Sequence, residues 1–128
     1  MLIRGPSGSG KSQLAFDLLC SDLPFTRLVA DDRVELDARA GRLLVRPAAA
    51  LAGMLEIRGL GIRRFAYESV AVVGVVIDLA ATDALRYPGK EAEKATIHAV
   101  SLPRLAVAPG MSALGLVLAF QHSAPSGD

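Results

Sequence analysis

Apolar positions in this chain fall into short runs, most of them bounded by glycine, proline or acidic residues. Met1-Leu2-Ile3 reads as a short strand leading into a glycine-rich stretch. Beyond it Leu14, Leu18 and Leu19, with Ala15 on a neighbouring flank, recur at helical spacing and predict a helix over Gln13–Cys20. Asp22-Leu23-Pro24 ends that helix, because the residue before a proline is pushed out of the helical region. Leu28-Val29-Ala30 predicts a brief strand that runs into Asp31-Asp32. Val34, Leu36, Leu43 and Val45 alternate with charged residues around Gly41, the pattern of a hairpin with one buried face. Pro47 and the alanines after it suit a short helix. Leu55-Glu56-Ile57-Arg58 alternates again and stops at Gly59-Leu60-Gly61.

The β-branched run Val70–Leu79 predicts one buried strand, followed by a polar loop over Arg86–Lys94. Ile97–Val100 and Leu105–Ala108 predict two more strands, and Pro109-Gly110 turns the chain. Ser112 is placed to cap a last helix, Ala113–Phe120, and Ser123–Asp128 has the composition of a disordered tail. A single domain over residues 1–122 is therefore expected, consistent with a length of 128 residues.

Composition narrows the class. A chain that is 52% hydrophobic and 21% charged has the material for a core and is not intrinsically disordered. Its 14 basic and 13 acidic side chains leave a formal charge of +1, so no basic field suggests nucleic acid. The single cysteine, Cys20, excludes an internal disulfide, fits a reducing compartment, and is expected to pack as a small hydrophobe. No apolar run approaches the roughly 20 residues of a membrane span, and Met1–Arg4 is too short for a signal peptide. The expectation is a cytoplasmic domain with no membrane segment.

One motif carries chemistry outright. Gly5-Pro6-Ser7-Gly8-Ser9-Gly10-Lys11-Ser12 matches G-x-x-x-x-G-K-[ST], with a strand before it and a helix after it. Glycines allow successive backbone N–H groups to turn inward around phosphate oxygens, and the helix start adds unpaired donors and its positive dipole end. In this reading Lys11 contacts the β- and γ-phosphates and the Ser12 hydroxyl ligates Mg²⁺.

Phosphoryl transfer also needs acids for the metal and the acceptor. Two apolar runs end in one: Leu28-Val29-Ala30-Asp31-Asp32 and Val75-Val76-Ile77-Asp78. Adjacent carboxylates repel, a cost that a cation or a catalytic role offsets, so Asp31 and Asp32 are preferred. Asp78 is read as a surface residue at a strand end. Glu56 and Arg58, two apart on one strand face, are spaced for an ion pair.

Taken in order, these segments resemble the catalytic domain of HPr kinase/phosphorylase. The resemblance rests on Gly5–Ser12, on Leu28–Glu35, and most specifically on Leu55-Glu56-Ile57-Arg58-Gly59-Leu60-Gly61-Ile62, with a weaker match at Val107-Ala108-Pro109-Gly110. It looks like the short proteobacterial form that lacks an N-terminal domain. It implies an α/β P-loop domain with a mixed β-sheet, similar to the nucleotide-binding fold of phosphoenolpyruvate carboxykinase. The implied reaction is transfer from ATP, with Mg²⁺, to a serine of the phosphocarrier HPr, with the reverse phosphorolysis in some members. The implied roles are Asp31 as general base, Asp32 assisting it or lying near the metal, Glu56 beside the metal, Arg58 as a cation near the transferred group, and Arg86 as a further catalytic arginine. A homo-oligomer, in the family a hexamer, is implied as well.

The chain also departs from that pattern. Ala108 and Met111 stand where longer members carry arginines beside the Pro-Gly pair, which bears on phosphorolysis more than on the kinase reaction. Family members also have strands, one with a histidine, upstream of the P-loop strand. Two other functions stay open at this level: a P-loop kinase of a small metabolite, and a nucleotide-binding regulatory module without catalysis. His98, His122, Met54, Met111 and the pair Arg63-Arg64 are read as structural or solvated.

Overall fold

The computed structural model describes residues 1–90 and 93–126. Its elements in chain order are β1 (Leu2–Arg4), α1 (Lys11–Leu19), β2 (Val34–Arg39), β3 (Arg42–Pro47), a 3₁₀ turn at Ala49–Leu51, β4 (Met54–Ile57), β5 (Gly61–Arg64), β6 (Ala71–Val72), β7 (Val76–Asp78), β8 (Lys94–Ile97), β9 (Val100–Ala106) and α2 (Ala113–His122). A four-stranded sheet in the order β1-β7-β9-β8 forms the centre. Its first three strands are parallel and β8 is antiparallel to β9, so the sheet is mixed, as expected.

The two faces of that sheet are covered differently. Ile3, Ile77 and Leu105 face the helices, packing with Leu14 and Leu18 of α1 and Val117 of α2. Leu2, Val76 and Leu102 face a second sheet, β2-β3-β6, through Leu43 and Val45. Strands covered on both faces read as continuous apolar runs without a period of two. That is why Val70–Leu79 reads as one strand when it is two. β6 pairs with β3, Val73 N–H still donates to Leu43 (2.8 Å), and Leu2 N–H donates to Val75 (2.9 Å), so the chain passes from one sheet to the other within this run.

Other expectations also shift. Leu28–Ala30 forms no strand but two isolated bridges, Leu28 with Tyr67 and Ala30 with Ala52. The helix after Pro47 is only the single 3₁₀ turn, with Pro47 closing β3. The expected strands at Ile97–Val100 and Leu105–Ala108 are instead the hairpin β8–β9, turned by His98 and Ala99. The Gly59–Gly61 segment turns a hairpin whose second strand, β5, the sequence pattern does not flag. Cys20 caps the end of α1 and is exposed rather than packed. Of the polar loop Arg86–Lys94, residues 91–92 lie outside the described residues, as do 127–128 of the tail. The Ser112 cap holds: its side chain accepts from Gly115 N–H at 3.2 Å.

The β8–β9 turn is a local misfit. His98 and Ala99 both take positive φ, 49° and 62°, where a side chain costs about 1–2 kcal/mol. Ala99→Gly is expected to raise stability by about 0.5 kcal/mol, since glycine's extra chain entropy returns about 0.5–1 kcal/mol of that relief. Chemical denaturation reads the change as a higher midpoint at unchanged slope.

Candidate active site

At the carboxyl end of β1 the chain turns through Gly5–Gly10 into α1, where parallel α/β sheets place their ligands. Gly10, the residue before the helix, sits at φ 94°, a conformation that favours glycine. It supplies no side-chain cap and the first turn of α1 carries no acid, so no local side chain competes for the leading N–H groups. Space at Gly5 is tight: a Cβ there would lie 2.5 Å from Ser9 Oγ and 3.1 Å from Leu79 Cβ. Ser9 Oγ is itself buried with no hydrogen-bond partner among the described residues. A buried hydroxyl without a partner is costly, and Ser9 does not line the cavity described below.

Lys11 Nζ folds back over the loop and donates to the carbonyls of Gly5 (2.8 Å) and Pro6 (3.2 Å). Beside it Ser12 Oγ donates to Asp31, lying 2.7 and 2.9 Å from its two oxygens. Asp31 also accepts from Glu56 N–H at 3.4 Å. One carboxylate thus joins the helix start, the Asp-Asp segment and β4. Asp32 is exposed and has no hydrogen-bond or ion-pair partner among the described residues. The adjacent acids therefore stand in different states, one engaged and one free.

These groups surround a single open cavity of about 900 Å³. Ser7, Gly8, Gly10, Lys11 and Ser12 line it together with Asp31, Asp32, Glu56, Arg58 and residues of the β4–β5 hairpin. Glu56 and Arg58 make no ion pair with each other among the described residues, contrary to the spacing argument: Arg58 lies past the end of β4, in the turn. Both side chains are exposed and available to a ligand. Arg86 is not among the lining residues; its guanidinium lies 5.4 Å from the Tyr87 ring centroid. Sequence reasoning missed the apolar part of the wall, where Leu51, Met54, Ile57 and Ile62 line the cavity. Recognising β5 would have found it, because in the β4–β5 register Ile62 stands opposite Glu56.

Asp78 is not a surface residue. Its side chain is 15% exposed and binds Arg4 through both oxygens (2.7 and 2.9 Å) and Arg104 through Oδ2 (2.6 Å). Burial pushes its carboxyl up, but the Arg4 and Arg104 hydrogen bonds outweigh that and hold it below the usual carboxylate range. It takes no part in lining the cavity.

This cradle-and-acid arrangement coincides with a family match. Residues 1–117 match the model of the HPr serine kinase C-terminal domain. The chain belongs to that family. Among curated relatives, the HPr kinase/phosphorylase of Clostridium tetani is 45% identical over 62 residues, and that of Streptococcus thermophilus is 49% identical over 63. Each alignment covers 48% of this chain and 19% of the relative, so the chain spans about a fifth of the length of those proteins. The solved Hpr(Ser) kinase/phosphatase of Coxiella burnetii superposes with a TM-score of 0.72 at 21% identity, over 94% of this chain and 80% of that one, and shares the fold. No helix among the described residues is long and apolar enough to cross a membrane.

Proposed function

We propose that this domain transfers the γ-phosphoryl group of ATP to a serine hydroxyl of an HPr-type phosphocarrier in the cytoplasm, with the reverse phosphorolysis as its second direction. The observation that carries the reading is the convergence of Gly5–Ser12, the split pair Asp31 and Asp32, and Glu56 with Arg58 on one cavity. The names of the family and its relatives supply the acceptor class.

The residues divide the work. Loop amides and Lys11 hold the phosphates. Among the described residues no three His, Cys, Asp or Glu side chains gather into a ready-made metal centre. That suits Mg²⁺, which is usually held by one or two protein oxygens plus the phosphates of the nucleotide. Ser12, with Asp31 behind it, and Glu56 would hold it. When bound, Mg²⁺ neutralises charge on the transferring phosphate.

Asp32 is the carboxylate in the cavity with no partner among the described residues, and we assign proton acceptance to it; Asp31, which accepts from Ser12 and the Glu56 amide, is assigned to hold Ser12. The acceptor serine gives its proton to Asp32 as its oxygen bonds to the γ-phosphorus, and the bond to the ADP oxygen breaks. Arg58 faces the same space and balances the charge that accumulates there.

Purified protein incubated with ATP, Mg²⁺ and HPr tests the reading. Phosphate on an HPr serine is the expected outcome, with its release as pyrophosphate when inorganic phosphate and phospho-HPr are supplied. Phosphate appearing only on small metabolites, or ATP bound and never consumed, would overturn it. A homo-oligomer is expected in light scattering of the same sample.

A further inference from the structure

The chain of ion pairs at the carboxyl ends of β1, β7 and β9 lies outside the cavity yet ends on the residue that precedes Gly5. Arg4 binds Asp78 through two hydrogen bonds, Arg104 binds the same carboxylate at 2.6 Å, and Arg104 also reaches Asp83 at 2.9 Å. The middle of the chain is desolvated, with Arg104 and Asp78 only 12% and 15% exposed. Charge pairs in such surroundings are far less screened than surface pairs and are held in one geometry.

The backbone is tied at the same place. Leu79 N–H donates to the Arg4 carbonyl at 2.8 Å, and Leu79 Cβ fills the space against Gly5. β1 is the edge strand of its sheet, so its neighbour within the sheet lies on one side only. Side chain and main chain of Arg4 are therefore both fixed by the end of β7, one residue ahead of the phosphate loop.

We infer that Asp78, clamped by Arg104, is a positioning residue that acts through Arg4 to set the origin and direction of the Gly5–Gly10 loop. An acid at this strand end is thus used to hold the loop and not to hold a metal. The inference rests on the nucleotide-binding part of the proposed function, but the loop's order can be measured without nucleotide.

Arg4→Met breaks the tie while leaving Asp78 paired with Arg104. Amide hydrogen exchange at residues 5–10 of the ligand-free protein is expected to speed up about tenfold, with α2 amides unchanged, and the dissociation constant of a fluorescent ADP is expected to rise about tenfold. Arg4→Lys keeps a charge without the fork and is expected to recover part of both effects. Arg39→Met, which removes an exposed arginine–aspartate pair on β2, is expected to change neither.

Unchanged loop exchange in Arg4→Met, or an equal rise in α2, would overturn the inference. If Arg4→Met proves too unstable to measure, Arg4→Lys alone decides it by the same comparison of loop with α2. Faster loop exchange in Arg4→Met, together with a wild-type protein that binds no nucleotide, would leave the positioning role standing and remove the nucleotide reading instead.

Discussion

Asp32→Asn is expected to lower the rate of serine phosphorylation by about 10²–10⁴-fold, the range for removal of a general base. Nucleotide affinity should hardly change, because Asp32 bonds to no part of the phosphate loop, whereas Asp31 accepts from Ser12 and from the Glu56 amide. Asp31→Asn should act differently. It weakens the hold on the Ser12 hydroxyl, so its loss should appear as a higher Mg²⁺ requirement and be partly recovered at high Mg²⁺. Steady-state assays of both variants across a Mg²⁺ titration check the division. A Mg²⁺-insensitive loss in Asp31→Asn with near-normal transfer in Asp32→Asn would reverse the assignment.

Lys11→Met is expected to reduce phosphorylation by about 10²–10³-fold, the cost of removing one preorganised donor to a charged transition state. Lys11 is the one lysine among the described residues that lines the cavity, and its ammonium donates to the Gly5 and Pro6 carbonyls. Methionine keeps most of the length and none of the charge, so the loop's shape should persist and the effect should be electrostatic. Single-turnover rates at saturating ATP separate lost affinity from lost transfer. A Lys11→Met enzyme that keeps its single-turnover rate would show that the ammonium only helps ATP to bind.

Much of this site can be read from local sequence, and the reason is torsional. The Gly5–Ser12 segment, the helix behind it and the Ser112 cap depend on residues within a few positions of one another, and all three form, with α1 starting at Lys11, two residues earlier than the pattern predicts. The hairpin around Gly41 follows for the same reason: its alternation and its turn lie in one stretch of chain. The pairing of Glu56 with Arg58 fails because the strand ends between them. The apolar cavity wall was hidden by β5, whose Gly61-Ile62-Arg63-Arg64 has too few apolar positions to mark a strand and forms by pairing with β4.

What the sequence alone determined is the glycine-rich turn into α1, the acids that stand beside it and the family they indicate, since each is written in contiguous residues with their own conformational preferences. Tertiary structure alone decided which carboxylate is engaged and which is free, and where a strand leaves one sheet for another. It also decided that Asp78 is neutralised by arginines 74 residues before it and 26 after it. Those outcomes depend on strand order and on burial of charge between distant segments, and no local pattern of side chains encodes either.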